Sequence, residues 1–304
     1  MKAKGNESLE TFEQIEKEHF SDSLFDKNEK LSITDLDIES PTTNKINPFP
    51  SSLSDIPNLI TSLDGLSDLE TMIGLFRSQG YKFLFRGHAD KSFSLLPTIV
   101  RNKVQKYSQE KEILESFKSI CKSFGYDEYR MKSFDENLFY LGIGRHLGLF
   151  SRLLDWTAGF FDALSFLMDE SFQNKDGELW ILAFKDDQLH LENRDPFLID
   201  DNKVHILQEH YYLPNENSLP LGIYRRFRQH GFFTVQSEGL LNIPLSDFAE
   251  KSGFSLINVS IPKETKALLQ DCDRLISLDW LYVDNEEPIL KEIHKLNAMF
   301  KRMP

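Results

Sequence analysis

Between Leu141 and Asp169 the chain reads LGIGRHLGLFSRLLDWTAGFFDALSFLMD, the stretch that most restricts what it can fold into. Leu153, Leu154, Trp156, Phe160 and Phe161 make it too apolar to lie open to water, yet Arg145, His146, Arg152 and Asp155 are set among them. A buried charge without a partner is strongly disfavoured. These polar groups therefore form either an internal ion-pair lock or the floor of a binding site. In the lock, Arg152 would pair with Asp155 or Asp162.

The rest of the composition narrows the function classes. With 304 residues the chain can bury one substantial core. Thirty-five basic against 48 acidic side chains give a net charge of −13, which disfavours sequence-independent nucleic-acid binding but leaves room for a local basic pocket. Two cysteines, Cys121 and Cys272, supply neither a disulfide framework nor zinc-ligand spacing. Cys121 reads as a core residue. The N-terminus carries no apolar signal core and no run of about 18 apolar residues occurs, so the expectation is a cytoplasmic protein that does not engage a membrane.

Residues 1–55 read as an acidic, partly disordered extension, with 11 acidic and 6 basic residues through Pro50 and a Ser/Thr/Asn/Pro-rich end. This arm could meet a protein partner or fold over a basic pocket. A single folded domain is expected over 56–304. Ser67 and Glu70 form a capping-box pattern ahead of Leu69, Met72, Ile73 and Phe76, and Gly80 marks that helix's end. Tyr81–Phe85 reads as a strand running into Arg86-Gly87-His88, and residues 91–101 read as a loop. Ser108 heads a second helix, with Ile113, Leu114, Phe117 and Cys121 on its buried face. A helix over 139–149 leads into a RLLDWT turn, and Thr157 is placed to cap a helix over 159–171. Strands are expected at 178–184, 204–207, 232–235 and 254–261, then a helix after Pro262 and another from about Pro288. Helices and strands do not alternate strictly. The fold class is α+β, a single mixed α/β domain with a small sheet flanked by helices.

The chemistry-bearing candidates are mostly arginines against apolar sequence: Arg86, Arg152, and Arg225 to Arg228. A guanidinium fork suits phosphate or carboxylate and stays charged at any working pH. His146 could act as a base oriented by Asp155, whereas Gln229 can only position a substrate. No dinucleotide fingerprint, phosphate-binding P-loop, zinc-protease or serine-hydrolase motif is present.

Three separated pieces together resemble the FRG domain family, named for its aromatic-Arg-Gly motif. Phe85-Arg86-Gly87 runs on into Leu95, Leu96, Pro97 and Arg101. His146, Gly148 and Arg152-Leu153-Leu154-Asp155-Trp156-Thr157 form the second piece, and Arg225, Gln229, Gly231 and Phe233 the third. The pattern extends over roughly 66–300. His88, Leu147 and Ser151 depart from the usual family residues. The resemblance implies a toxin-like or effector role in a bacterial, defence-type setting. By analogy with ADP-ribosyltransferase-like folds, it suggests Arg86, His146 and Gln229 as catalytic residues and Arg152, Asp155, Trp156, Thr157 and Arg225 as substrate-binding ones, with NAD as the cofactor.

Three readings follow: an enzyme acting on a nucleotide or other phosphate-bearing substrate, a non-catalytic module for a small anion or a protein, and a purely structural lock. Convergence of Arg86, Arg152 and Gln229 on a pocket favours the first two. Mutual pairing without a cavity favours the third.

Overall fold

A computed structural model describes residues 51–102, 109–130, 132, 134–185, 194–201, 203–208, 231–270 and 288–302. Six strands form one antiparallel sheet: β1 Tyr81–His88, β2 Leu154–Thr157, β3 Gly177–Lys185, β4 Val204–Gln208, β5 Gly231–Gln236 and β6 Ser255–Ile261. Their order across the sheet is β4-β5-β2-β1-β3-β6. The helices are α1 Leu63–Ser78, α2 Thr98–Arg101, α3 Glu110–Ser123, α4 Glu136–His146, α5 Phe160–Ser165, α6 Lys263–Leu269 and α7 Pro288–Arg302. The fold is α+β, as the sequence indicates. Among the described residues no helix is long and apolar enough to cross a membrane.

Strand alternation sorts the core into layers. One face of the sheet carries Phe83, Phe85, Leu179, Ile181 and Val259 against α1 and α5. On the same side, Phe233 and Val235 meet α3, α4 and α7 through Phe117, Phe139 and Ile293. The opposite face, with Leu84, Leu182, Trp156 and Phe232, is closed by Leu95, Leu245 and Phe248 from loops and 3-10 turns.

Helix α1 begins four residues before the expected cap. Ser62 accepts a hydrogen bond from Gly65 N at 3.1 Å, so it fills the capping role assigned to Ser67. Leu66, Leu69, Met72, Ile73 and Phe76 are buried as the periodicity requires, and Gly80 reverses the chain with φ +85°. The Ser108 cap lies outside the described residues, but Ile113, Leu114, Phe117 and Cys121 form the buried face of α3. Burial pushes the Cys121 thiol pKa up, in keeping with a core residue.

Two local expectations change. The segment 91–101 ends in a helical turn, α2, held because the Thr98 hydroxyl accepts from Ser151 N at 3.0 Å and Ile99 N donates to Ser151 O at 3.3 Å. RLLDWT is not a turn: its last four residues are β2, registered with β5 from Leu154 opposite Thr234 to Thr157 opposite Gly231. Thr157 therefore ends a strand. Its hydroxyl accepts from Gly159 N at 3.0 Å and donates to Asp162 at 3.2 Å, and Gly159 rather than Thr157 precedes α5. The helix expected over 159–171 stops at Ser165 and continues as 3-10 turns.

Candidate functional site

The site arises where the sheet comes apart. Strand β1 pairs with β3 along its whole length, from Tyr81 opposite Lys185 to His88 opposite Glu178. Against β2 it registers only Phe85 with Thr157. Beyond that pair the two strands part, and the Arg86 guanidinium fills the gap, donating to the Asp155 carbonyl at 2.5 Å. A side chain thus replaces the ladder bond that β1 no longer makes. Gly87 permits the opposite side of the strand to close, because a Cβ there would overlap the Ala163 carbonyl oxygen of α5.

The gap is a cleft of about 200 Å³, lined among others by Arg86, His88, Arg101, Arg145, His146 and Asp155. Arg145 reaches it from the last turn of α4. Its Nε donates to Asp155 Oδ1 at 2.8 Å and its Nη2 lies 2.6 Å from the same oxygen. Arg86 Nη1 is 3.0 Å from Oδ1. Burial works to raise the Asp155 pKa, but Arg145 and Arg86 outweigh it and hold the carboxyl well below the usual carboxylate range. Asp155 is a fixed anion, not a proton carrier.

His88 supports Arg86 from the other side. Arg86 Nε donates to His88 Nε2 at 2.9 Å, so the ring is neutral with its proton on Nδ1, which faces Glu178 Oε2 at 4.0 Å. Burial, then the positive charges of Arg86 and Arg101, press the His88 pKa down to about 3. Asn258 in turn donates to Glu178 Oε1. A polar row thus runs from β6 across β3 and β1 to the cleft.

Arg101, at the end of α2, is the group that changes the character of the site. The residue as a whole is exposed, but its guanidinium lies in the cleft beside Arg86 and Arg145. Desolvation there, with the two like charges, pulls its pKa down to about 10. It forms no ion pair among the described residues. Three guanidiniums therefore face one doubly bridged carboxylate, and Asp169 also lines the cleft.

The structure distributes the remaining candidates as follows. His146 lines the cleft and packs at 5.4 Å against the Phe233 ring. Trp156 is a wall residue, its indole N–H tied to Thr234 Oγ1 at 2.9 Å. Thr157 also lines the cleft. Arg152 does not. It is 2% exposed, with Nε 2.7 Å from Glu110 Oε2, its backbone N–H on Glu110 Oε1 at 2.8 Å, and its guanidinium 4.4 Å from the Phe197 ring centre. The lock of the opening stretch exists, but its partner is Glu110 rather than Asp155 or Asp162. Arg225 and Gln229 lie outside the described residues, although Gly231, two residues after Gln229, lines the cleft.

The FRG domain family model matches residues 81–176. The chain carries an FRG domain. That match is shorter than the 66–300 pattern, taking in the first two motif pieces and stopping before the third. Comparison with curated proteins and with solved structures gives no match. Within the FRG domain, both the aromatic-Arg-Gly motif and Asp155 of RLLDWT converge on the cleft. Arg152 of the same hexapeptide anchors β2 to α3. Among the described residues no cluster of His, Cys, Asp and Glu is arranged to hold a metal ion.

Proposed function

We propose that the arginine-lined cleft of this FRG domain binds a phosphate-bearing small molecule of the nucleotide class and holds it for reaction. One observation carries the reading: in a chain of net charge −13, Arg101, which forms no ion pair among the described residues, stands beside two other arginines in a partly desolvated cleft. Such a cluster is costly unless an anion completes it, and guanidinium forks match phosphate oxygens. At about 200 Å³ the cleft is smaller than the roughly 300–1,000 Å³ that encloses a drug-sized ligand. It suits one phosphoryl group with its adjoining ring, so a dinucleotide would extend beyond this lining.

Among the described residues the lining holds no serine or cysteine, the Thr157 hydroxyl is engaged on both sides, and Asp155 is clamped. Chemistry here would rest on orientation, the arginines holding a phosphate group while a bond elsewhere in the substrate breaks. Transfer or cleavage of ADP-ribose from NAD fits that pattern: the ribose–nicotinamide C–N bond breaks and nicotinamide leaves, with Arg86 and Arg101 on the retained phosphate oxygens and His146 and Gln229 orienting the substrate. The test is loss of NAD and binding of ADP-ribose by the purified protein beside Arg101→Ala and Gln229→Ala. NAD loss that disappears in both variants supports the enzyme. ADP-ribose binding without NAD loss leaves a binding module, and neither result in wild type overturns the reading.

A further inference from the structure

The contacts made to Asp155 are lopsided. Arg145 Nε and Nη2 and Arg86 Nη1 all approach Oδ1, and Arg86 also takes the backbone oxygen. Among the described residues no donor reaches Oδ2. The side chain is nevertheless about one-third exposed and lines the cleft. Since the two arginines keep the carboxyl ionised, Oδ2 is a permanent, oriented acceptor open to whatever enters.

The donor that this oxygen can take is limited by its surroundings. Arg86, Arg101 and Arg145 bring three positive charges against the two carboxylates of Asp155 and Asp169, so the cleft keeps a positive excess and an ammonium donor would meet like-charge repulsion. A hydroxyl adds a hydrogen bond and no charge. Phe93 and Phe166, which also line the cleft, give apolar walls against which the carbon face of a ring can lie. We infer that the cleft selects a sugar phosphate: the phosphate sits on Arg101, and a sugar hydroxyl donates to Asp155 Oδ2. This rests on the phosphate-binding reading above and adds Asp155 to it as the specificity-determining residue.

The test varies the ligand, because substituting Asp155 would also release Arg86 and Arg145. Calorimetric titration of the wild-type protein would use inorganic pyrophosphate, ribose 5-phosphate, butyl phosphate and phosphoethanolamine. Ribose 5-phosphate is expected to bind at least about tenfold more tightly than butyl phosphate, the scale of one hydrogen bond to a charged acceptor. Phosphoethanolamine is expected to bind no better than butyl phosphate. Equal binding of ribose 5-phosphate and butyl phosphate, or preference for phosphoethanolamine, overturns the sugar assignment while pyrophosphate binding keeps the phosphate site. Failure of all four anions overturns both.

Discussion

Removing Glu110 isolates the structural role of RLLDWT from any ligand role. Glu110 is 1% exposed and Arg152 2%, and the carboxylate satisfies both the Arg152 Nε at 2.7 Å and the Arg152 N–H at 2.8 Å. Glu110→Ala leaves a guanidinium in the core with, among the described residues, the Phe197 ring as its remaining contact, and it orphans a buried backbone donor. Breaking a buried pair from one side costs roughly 3–5 kcal/mol, because the other charge stays without compensation. The Phe197 contact offsets at most about 2 kcal/mol, so a loss of at least about 1–3 kcal/mol is expected. Replacing both members, Glu110→Met with Arg152→Met, removes the stranded charge and should recover part of that loss, the unmet Arg152 N–H keeping the remainder. Urea unfolding at pH 7, read as a shift in midpoint at constant slope, measures all three proteins. A loss under about 1 kcal/mol in Glu110→Ala, or a double variant less stable than the single one, would refute the lock.

Two further outcomes follow from the same geometry. The unfolded chain protonates His88 near pH 6.5 while the folded chain resists until about 3, so its stability contribution is complete above 6.5 and falls with decreasing pH by about 1.4 kcal/mol per unit between those limits. His88→Gln, which keeps an acceptor for Arg86, should remove that slope in urea titrations between pH 7 and 4.5, and identical slopes would contradict the neutral buried ring. Gly87→Ala should destabilise by about 1–3 kcal/mol or more in thermal unfolding, since the strand or α5 must shift to clear the Ala163 carbonyl. A neutral effect would show that this contact is loose.

Much of the architecture is legible in local pattern. The helical spacing of Leu69, Met72, Ile73 and Phe76 and the apolar run of β3 report burial directly, and both are seen. RLLDWT misleads because a four-residue strand has no periodicity of its own, and its partner β5 lies some 75 residues on. For the site, Arg86 meets Asp155, which the sequence pairs with Arg152 or His146, whereas Arg152 finds Glu110, 42 residues earlier, a pairing no local signal announces. Arg145 stands in the opening stretch and Arg101 in the LLPTIVR segment. Each is visible as a cation beside apolar sequence, but their convergence depends on how α2 and α4 dock at the sheet. The unpaired edge of β1 beyond Phe85, which creates the cleft, is a property of register alone.

The central claim is that the cleft is an anion site completed from outside. Calorimetric titration of inorganic pyrophosphate into the wild-type protein and Arg101→Ala tests it most directly, at low salt and again at about 0.15 M, where exposed charges are screened beyond about 8 Å. Arg101 carries no ion pair among the described residues and stands beside two like charges, so the variant should unfold at a temperature no lower than that of the wild type. Binding by the wild type that weakens with salt and falls about tenfold or more in Arg101→Ala is the predicted result. Equal affinity in the two proteins, or no binding in either, would mean that the three arginines serve only to hold the split sheet together.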